Sequence, residues 1–328
     1  MPFQDTCGRA IEYLRISVTD RCNLRCRYCM PAQGVPFRPH DEILRYEEIV
    51  QVVRAAVGLG ITKFRLTGGE PLVRKGIVEL VAMLARIPSV QDLAMTTNGT
   101  LLSHYAEALA RAGLRRVNIS LDTLDEEKYA QLTRGGRLAD ALEGIHSAER
   151  AGLRPVKINT VVVRGLNDDE VVALARLTLE HPWEVRFIEL MPVGDGGEGW
   201  QGEAVPGAEV AQRIGAALGE LAPAEGTLGN GPARYYRLPG AKGTLGFITP
   251  LSEHFCAQCN RIRLTADGHL RPCLLADGEI DVKAALRRGA DLGEIQALLL
   301  QAIATKPDGH HLREASPPKG RGMSEIGG

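Results

Sequence analysis

The stretch YLRISVTDRCNLRCRYC, residues 13–29, joins a strand pattern to three closely spaced cysteines. Residues 14–19 alternate apolar and polar side chains, which predicts a β-strand. Cys22, Cys26 and Cys29 follow directly, where a βα barrel carries its site. Three thiolates can hold a tetrahedral metal ion or three irons of a cubane cluster, whose fourth iron then stays open to a small ligand. A single zinc ion would need a fourth ligand, and the nearest histidine, His40, lies well beyond the motif.

βα repetition continues from this strand to about residue 191. Short β-rich runs alternate with longer segments whose apolar residues recur at helical spacing, and several of these segments end at glycine. Such strands pair in parallel, with the helices outside the sheet. The predicted strands are residues 14–19, 63–67, 92–97, 116–121, 156–163 and 184–191, and the predicted helices lie within 47–60, 74–87, 104–113, 138–152 and 168–181.

The predicted strands have one apolar face and one polar face. A closed eight-stranded barrel fills its interior with branched apolar side chains, so a polar face predicts an open, partial barrel around a wet cavity. A two-layer sheet with one solvated face is the alternative, which the usual burial of both faces of parallel sheets disfavours. The polar face carries Arg15, Ser17, Arg65, Thr67, Thr96, Asn98, Asn118, Ser120, Lys157 and Asn159.

The composition changes near residue 195, where a glycine-rich loop begins. We therefore divide the chain into a core, residues 1–195, and a C-terminal region, residues 196–328. That region contains short strand patterns, one amphipathic helix over residues 281–304 and a polar extended tail. Within the tail, His310 and His311 are expected in a solvated loop.

A second cysteine group, Cys256, Cys259 and Cys273, lies in the C-terminal region. Here zinc is the serious alternative to a cluster, with His254 or His269 as its fourth ligand. Two separate groups and an odd total of seven cysteines indicate metal ligation in a reducing compartment and not a disulfide framework. Cys7 stands apart from both groups and is predicted to be an unligated thiol.

Composition and charge exclude several classes of protein. The 328 residues include 44% hydrophobic and 24% charged residues, an ordinary globular composition that rules out fibres and mini-proteins. Basic and acidic residues number 39 and 40, so no overall field attracts nucleic acid or an anionic membrane. No apolar stretch is long enough to span a bilayer and no signal-peptide pattern begins the sequence, which predicts a cytoplasmic protein.

The C-x3-C-x2-C motif with an aromatic residue before its third cysteine resembles that of radical S-adenosylmethionine (SAM) enzymes. The stretches YLRISVTDRCNLRCRYCMP, RLTGGEPLVR, TTNG, RRVNISLD and RFIELM, then FCAQCNRIRLTADGHLRPCL and the final IGG, resemble the GTP 3',8-cyclase family of molybdenum cofactor biosynthesis along nearly the whole chain. The resemblance implies an α/β fold, a partial (β/α)6 barrel with a C-terminal cysteine-rich extension closing the barrel mouth.

The resemblance also implies an activity and its cofactors. The enzyme would convert GTP to (8S)-3',8-cyclo-7,8-dihydroguanosine 5'-triphosphate, by hydrogen abstraction at C3' and attack on C8. Two [4Fe-4S] clusters are implied, the first on Cys22, Cys26 and Cys29 and the second on Cys256, Cys259 and Cys273. The first reductively cleaves SAM, and the open iron of the second takes the guanine base. An electron donor and a downstream enzyme that forms cyclic pyranopterin monophosphate are the implied partners; a homodimer is left open.

Particular residues carry over from the family motifs. SAM contacts fall on Tyr28, Gly69, Ser120 and Met191. GTP contacts fall on Arg15, Arg65, Thr96, Lys157, Arg261, Ile262 and Arg263, and catalytic roles fall on Arg15, Gly327 and Gly328. The three cations of the polar face suit a triphosphate on chemical grounds as well, because an arginine donates paired hydrogen bonds to phosphate.

Two other functions are weighed against this one. Another two-cluster radical SAM enzyme, such as a peptide-modifying or sulfatase-maturing one, usually carries more auxiliary cysteines than three. A non-catalytic iron–sulfur or zinc module that binds nucleic acid or senses redox state predicts a basic face, which the charge balance does not show.

Overall fold

Six parallel strands, paired in chain order, form the centre of the sheet in this computed structural model. It describes residues 2–191, 193, 202–224, 231–310 and 321–327; the predicted glycine-rich loop, His311 and Gly328 lie outside these residues. Neighbouring strands are in register, so that Arg15 lies beside Arg65. The strands are β1 (Tyr13–Ser17), β2 (Lys63–Thr67), β3 (Asp92–Thr97), β4 (Arg116–Ser120), β5 (Lys157–Val162) and β6 (Glu184–Glu189), which confirms all six predicted strands.

The connecting helices cover the apolar face of this sheet. Five were predicted, and a sixth, α4, is a short helix whose first turn is capped by the Asp125 carboxylate, which accepts a hydrogen bond from the Lys128 amide at 2.8 Å. In the described part of the chain, no helix combines the length and hydrophobicity needed to cross a bilayer. The helices are α1 (Tyr46–Gly58), α2 (Ile77–Ala85), α3 (Leu102–Arg111), α4 (Glu126–Thr133), α5 (Leu138–Arg150) and α6 (Val171–Glu180).

Residues beyond 195 extend the same sheet at both edges. A strand from this region pairs in parallel with β6 at one edge, and another pairs in parallel with β1 at the other. Short antiparallel strands then finish each edge. The strands are β7 (Ala222–Pro223), β8 (Arg234–Arg237), β9 (Thr244–Ile248), β10 (Arg261–Leu264), β11 (His269–Arg271) and β12 (Ile280–Asp281), in the sheet order β12-β11-β10-β1-β2-β3-β4-β5-β6-β9-β8-β7.

The expected helix over residues 281–304 is wrong as a single element. It is two helices, α8 (Lys283–Arg287) and α9 (Leu292–Ala304), separated by a turn in which Gly289 has a φ of +85°. Asp291 and Glu294 form a capping box that begins α9. Helix α7 (Gly207–Leu218) precedes β7, and the short helix α10 (Met323–Ile326) lies near the end of the chain.

The two faces of the central strands separate as the sequence alternation predicts. Side chains of the apolar face, such as Leu14, Phe64 and Val117, are fully buried in the hydrophobic core against the helices. Most of the polar face is turned the other way, toward an internal cavity. The alternation therefore determines which face of the sheet lines the cavity.

Candidate functional site

Most of the predicted site residues line one cavity of about 300 Å³. Its lining extends along the polar face of the central strands to their carboxyl ends, where a βα fold usually carries its site. Both cysteine groups line it, although they are more than 200 residues apart in sequence. The other predicted site residues on its wall are Arg15, Tyr28, Arg65, Gly69, Thr96, Ser120, Met191, Arg261 and Arg263.

The N-terminal cysteine loop packs against the Gly68-Gly69 turn after β2. The Gly69 amide donates a hydrogen bond to the Thr19 carbonyl at 2.8 Å. A Cβ at Gly68 would lie 2.5 Å from the Thr19 carbonyl oxygen, and one at Gly69 would lie 2.4 Å from that of Arg21. Glycine is therefore required here by the approach of two backbone segments, before any ligand is considered.

The three thiols of this loop are buried close enough to influence one another. Burial raises the pKa of Cys22 to about 11 and that of Cys29 to about 12. Burial, followed by the charges of Cys29, Asp122 and Cys22, raises the pKa of Cys26 well above its ordinary value. Three buried thiolates need a cationic partner, and an iron centre supplies one. The donor set thus fits a cluster.

A buried tyrosine–carboxylate pair lies beside these thiols. The Tyr28 hydroxyl donates a hydrogen bond to Asp122 Oδ2 at 2.6 Å, and Asp122 Oδ1 accepts one from the Val161 amide at 2.8 Å. Burial raises the pKa of Asp122 to about 6, despite these two donors. The pair ties the cysteine loop to the ends of β4 and β5.

Buried guanidinium groups crowd the middle of the cavity. Burial, with repulsion from Arg116 and Arg186, lowers the pKa of Arg65 to about 10. Burial and Arg261 likewise lower the pKa of Arg263 to about 10. Arg15, between them, has a pKa well below its usual range, through burial and repulsion from Arg263 and Arg65. The cavity wall thus brings together several buried positive charges that repel one another.

Polar atoms of the wall also lack hydrogen-bond partners. Among the described residues, this holds for Arg65 Nε, Arg186 Nε, Thr96 Oγ1 and Asn159 Oδ1, all of them buried. All four residues line the cavity. Because buried polar atoms are nearly always hydrogen-bonded, their arrangement indicates a polar ligand with acceptor and donor groups.

The C-terminal cysteine group forms the opposite wall of the cavity. Burial alone would raise the pKa of Cys259, but the charges of Arg261 and Lys306 lower it to about 6. Lys306 Nζ is held by the carbonyls of Arg261 and Pro272, at 2.8 and 2.9 Å. Arg9 donates to the Cys256 carbonyl at 2.9 Å and to the Asp308 carbonyl at 3.1 Å, so the segment after α9 is fixed beside the cysteine turn.

The expected solvated position of His310 is wrong. Its Nε2 lies 2.7 Å from the Pro250 carbonyl oxygen and 3.0 Å from His254 Nδ1, and the residue lines the cavity. Among the described residues, His254, Cys256 and His310 are the one trio of potential ligands whose donor atoms all lie within 4.8 Å of one another. Neither cysteine group has this spacing. In each cysteine group, the three thiols lie too far apart to bind a single ion, as a zinc site would require.

Two of the predicted strand residues lie outside the cavity lining. Lys157 is buried beneath it in an ion pair with Glu184 and lies 3.3 Å from the Tyr235 hydroxyl. The Ile262 side chain is fully buried in the hydrophobic core, on the other face of β10 from Arg261 and Arg263, so only its main chain can face a ligand.

The other two assignments concern the end of the chain. The Gly327 carbonyl accepts a hydrogen bond from Arg263 Nη1 at 2.6 Å, at the edge of the site, and Gly328 lies outside the described residues. Cys7 is exposed and lies apart from the cavity wall.

Several wall residues were missed in the sequence. Arg186 follows from strand alternation in β6, where it shares a face with Asn159 of β5 through direct pairing. Asp122 lies two residues beyond the polar Ser120 and could be found in the same way. Lys306 and His310 follow the last long helix, and no local pattern places them beside the cysteines.

Comparisons with known proteins agree with this geometry. A radical SAM superfamily profile matches residues 16–178, and a Molybdenum Cofactor Synthesis C profile matches residues 183–312. The chain is 61% identical to a GTP 3',8-cyclase of Pelotomaculum thermopropionicum over 325 residues, 99% of this chain and 100% of that protein. It is 53% identical to one of Moorella thermoacetica over 326 residues, with the same coverage.

A solved structure shows a related fold. Streptococcus suis SuiB bound to precursor peptide SuiA matches with a TM-score of 0.65 over 93% of this chain and 67% of that chain, at 15% identity. Fold, cysteine spacing and profiles together define a radical SAM enzyme. At 61% identity over its whole length, the chain belongs to the GTP 3',8-cyclase family.

Ile262 offers a test of the wall geometry. We expect Ile262→Ala to lower the free energy of unfolding by about 2–5 kcal/mol, because it leaves a cavity in the core. GTP affinity of the folded variant should be unchanged, whereas Arg263→Ala, its neighbour on the cavity face, should weaken it. Denaturant unfolding and equilibrium GTP binding measure the two effects. A large loss of GTP affinity in folded Ile262→Ala would contradict the assignment of this side chain to the core.

Proposed function

We propose that the cavity holds GTP and SAM together, with SAM at the N-terminal cysteine loop and the guanine base at the C-terminal cysteine group. The chain acts as a GTP 3',8-cyclase in molybdenum cofactor biosynthesis, the activity of its full-length relatives. What the proposal adds is the part played by each residue. A single observation carries it: both cysteine groups and a cluster of buried cations line one cavity.

The N-terminal group, Cys22, Cys26 and Cys29, would hold a [4Fe-4S] cluster. When bound, this cluster would supply the electron that splits SAM into methionine and a 5'-deoxyadenosyl radical, and this radical abstracts hydrogen from C3' of GTP. The chain's own residues orient SAM around it. Gly69 and Ser120 present polar groups at the ends of β2 and β4, and Tyr28 is held in place by Asp122. Met191 covers the cavity at the end of β6 and helps to keep out water.

The triphosphate would lie among Arg15, Arg65, Arg261 and Arg263, with Arg186 as an addition to the predicted set. Burial and repulsion from neighbouring guanidinium groups lower the pKa values of Arg15, Arg65 and Arg263, and a bound polyanion would relieve that repulsion. Thr96 Oγ1 supplies a further polar contact. The main chain of Ile262 would face the same site. Lys157 would contact the phosphates by giving up its ion pair with Glu184 for one with a phosphate oxygen.

The C-terminal group, Cys256, Cys259 and Cys273, would hold a second [4Fe-4S] cluster whose open iron takes the guanine base. Its thiol spacing supports a multi-iron centre, because the three sulfur atoms lie too far apart for one ion. A single zinc ion on His254, Cys256 and His310 is the competing arrangement. The donor atoms of these three residues lie close enough together to bind one ion, and the metal-content experiment below tests this.

The end of the chain would complete the site. Gly327 has a φ of +78°, and a Cβ there would lie 2.4 Å from Thr67 Cγ2. The position therefore accepts only glycine, and its carbonyl accepts a hydrogen bond from Arg263. Gly328 is proposed to act in the same place.

Partners and organisation are part of the same proposal. An external one-electron donor and a downstream enzyme that takes the product to cyclic pyranopterin monophosphate would act with this chain, and residues 1–195 and 196–328 would be its two functional regions. The deciding experiment is an anaerobic assay with GTP, SAM and a reductant, followed by mass analysis of the nucleotide. Cyclised triphosphate together with 5'-deoxyadenosine supports the proposal; unchanged GTP contradicts it.

Metal content tests the two-cluster arrangement. Anaerobically reconstituted protein should contain roughly eight irons and eight sulfides per chain, three thiolates holding each cluster. Elemental analysis and sulfide determination measure this. The double variant His254→Ala, His310→Ala should keep the full iron content, since neither ring is a cluster ligand. One zinc with no more than roughly four irons, the zinc being lost in the double variant, would instead assign a single ion to the C-terminal group.

Cavity arginines should determine GTP affinity. Arg15→Ala, Arg65→Ala and Arg186→Ala should each weaken GTP binding by about 1.5–3 kcal/mol, the usual cost of losing a hydrogen bond to a charged group. Exposed Arg54 of α1 provides the control, and Arg54→Ala should bind GTP like the parent. SAM cleavage without GTP should largely persist in all four. Parental affinity in the three cavity variants would place the triphosphate elsewhere.

Lys157→Ala separates two roles for the buried ammonium. Because Lys157 is proposed to contact phosphate, its alanine variant should lose about 1.5–3 kcal/mol of GTP affinity, as the arginine variants do. If it serves only the ion pair with Glu184, the variant should lose stability and keep its affinity. Equilibrium binding and denaturant unfolding, measured on the same preparation, distinguish the two outcomes.

Gly327→Ala should abolish cyclisation while leaving iron content and GTP binding intact. The added methyl group collides with Thr67 and the backbone conformation is strained. Gly322→Ala is the matched control, because a Cβ there meets nothing closer than Ser324 Oγ at 3.9 Å. Product formation by mass analysis is the readout. Parental turnover in Gly327→Ala would show that the chain end has no part in the reaction.

A further inference from the structure

A buried carboxylate, Glu189, ends the last central strand, β6. By alternation it belongs to the core face of this strand, with Val185 and Phe187, and only 3% of the residue is exposed. A carboxylate among core residues is costly unless hydrogen-bond donors surround it. The groups that contact Glu189 therefore show which parts of the chain this side chain holds together.

Four donors surround the two oxygens of this carboxylate. Its Oε2 accepts hydrogen bonds from the amides of Leu251 and Ser252, each at 3.0 Å. Its Oε1 accepts one from the amide of Gly207, the first residue of α7, at 2.9 Å, and another from the Ser252 hydroxyl. Hydrogen bonds to an ionised acceptor are the stronger kind. Glu189 thus joins the end of β6, the start of α7 and the loop after β9.

These contacts begin where the pairing of β6 with β9 stops. The last paired residues are Ile188 and Ile248, directly before Glu189 and Thr249. The start of α7 is packed at the same place, because a Cβ at Gly207 would lie 2.4 Å from Thr249 Cγ2. The loop after β9 is therefore in contact with β6 and α7 from its first residues onward.

This loop, residues 249–256, leads to the C-terminal cysteine group. A turn closes its first half, since the Glu253 amide donates to the Thr249 carbonyl at 3.2 Å and the Thr249 hydroxyl donates to the Glu253 carbonyl at 3.4 Å. Pro250 and Cys256 line the cavity. Because the loop is short and closed on itself, a displacement of its first residues would also displace Cys256.

The chain that follows Glu189 belongs to the opposite end of the cavity. Leu190 and Met191 come next and line the cavity, and Met191 is a predicted SAM contact. Glu189 is thus close to the SAM end along the chain and joined by hydrogen bonds to the loop of the C-terminal cysteines. Hydrogen abstraction needs the reacting atoms within about 3–3.5 Å, so the relative position of these two ends decides whether it occurs.

We propose that Glu189 is a positioning residue that fixes the loop 249–256, and with it the guanine base at the C-terminal cysteine group, relative to SAM. The inference deepens the proposed function and rests on it. Glu189→Gln is the test, because an NH2 group then replaces one carboxylate oxygen and cannot accept a hydrogen bond. Whichever oxygen is replaced, at least one backbone amide loses its acceptor.

Amide hydrogen exchange of the reconstituted full-length protein shows whether Glu189 fixes the loop. Peptides covering residues 249–256 should exchange about tenfold faster or more in Glu189→Gln, the factor expected from losing a hydrogen bond to a charged acceptor. Peptides covering β1 to β4 should exchange as in the parent. Iron content should also be parental.

The ratio of 5'-deoxyadenosine to cyclised nucleotide shows whether this fixing positions the base. With GTP and SAM at saturation, the ratio should rise about 10- to 100-fold in Glu189→Gln, because a misplaced base impairs cyclisation and not SAM cleavage. A residue that contributed to stability alone would leave the ratio of the folded enzyme unchanged.

Two further variants separate this effect from general damage. Glu253→Gln makes the same change on the same loop, but at an exposed carboxylate paired with Arg234 at 2.6 Å, and should be parental in exchange and in product ratio. Ser252→Ala removes the hydroxyl donor and keeps the three backbone amides. It should raise both readouts in the same direction as Glu189→Gln, by a smaller factor.

Parental exchange of residues 249–256 in Glu189→Gln would overturn the proposal, and so would faster exchange with a parental product ratio. If Glu189→Gln loses iron or does not fold, Ser252→Ala decides alone, and parental values in that variant overturn the proposal. Absence of cyclised nucleotide from the parent would refute the proposed function and this inference with it. A parental ratio in Glu189→Gln beside an active parent would refute this inference alone.

Discussion

Like charges crowd together inside this protein, and the folded chain compensates only part of them. Three thiols lie at each end of one cavity and several guanidinium groups lie between. Burial raises the pKa of the N-terminal thiols, and burial together with repulsion between neighbouring guanidinium groups lowers the pKa of Arg15, Arg65 and Arg263. Such an interior is costly unless its occupants carry the opposite charge. We propose that iron centres at the ends and a polyanion in the middle supply it.

The sheet makes this crowding possible. Parallel strands end at the same edge, so side chains from all six central strands reach one cavity. The strands β9 and β10 then extend the sheet on its two sides and bring the C-terminal cysteines to the opposite wall. Residues far apart in sequence thereby share one site, and loops fixed by Arg9 and Lys306 hold the C-terminal group in place.

Much of this was predictable from local patterns. The strand period of two separates core from cavity side chains, and it correctly placed Arg15, Arg65 and Thr96. It predicts the face of the strand on which a side chain lies, but not whether the cavity extends to that position along the strand. Lys157 is therefore on the correct face yet at the amino end of β5, beneath the lining. The break between α8 and α9 was also readable, from Gly289 and the Asp291 capping box.

Contacts between distant segments were not predictable. The pairing of β9 with β6, the position of His310 beside His254 and the docking of Arg321 on Asp267 depend on the completed fold, and no spacing in the sequence records them. The Gly68-Gly69 turn shows a related limit. Gly69 was assigned as a SAM contact from the family resemblance, but close packing of the turn against the cysteine loop already requires glycine there.

The central claim is that the two cysteine groups serve different roles at opposite ends of one cavity. Comparing Cys26→Ser with Cys273→Ser, each confirmed to be folded, tests it most directly through the ratio of 5'-deoxyadenosine to cyclised nucleotide. Cys26→Ser should form neither product. Cys273→Ser should still form deoxyadenosine slowly but lose cyclised nucleotide far more steeply, because reacting atoms must approach to about 3–3.5 Å and a misplaced base prevents this. A parental product ratio in Cys273→Ser, or loss of deoxyadenosine as complete as in Cys26→Ser, would contradict the division of roles.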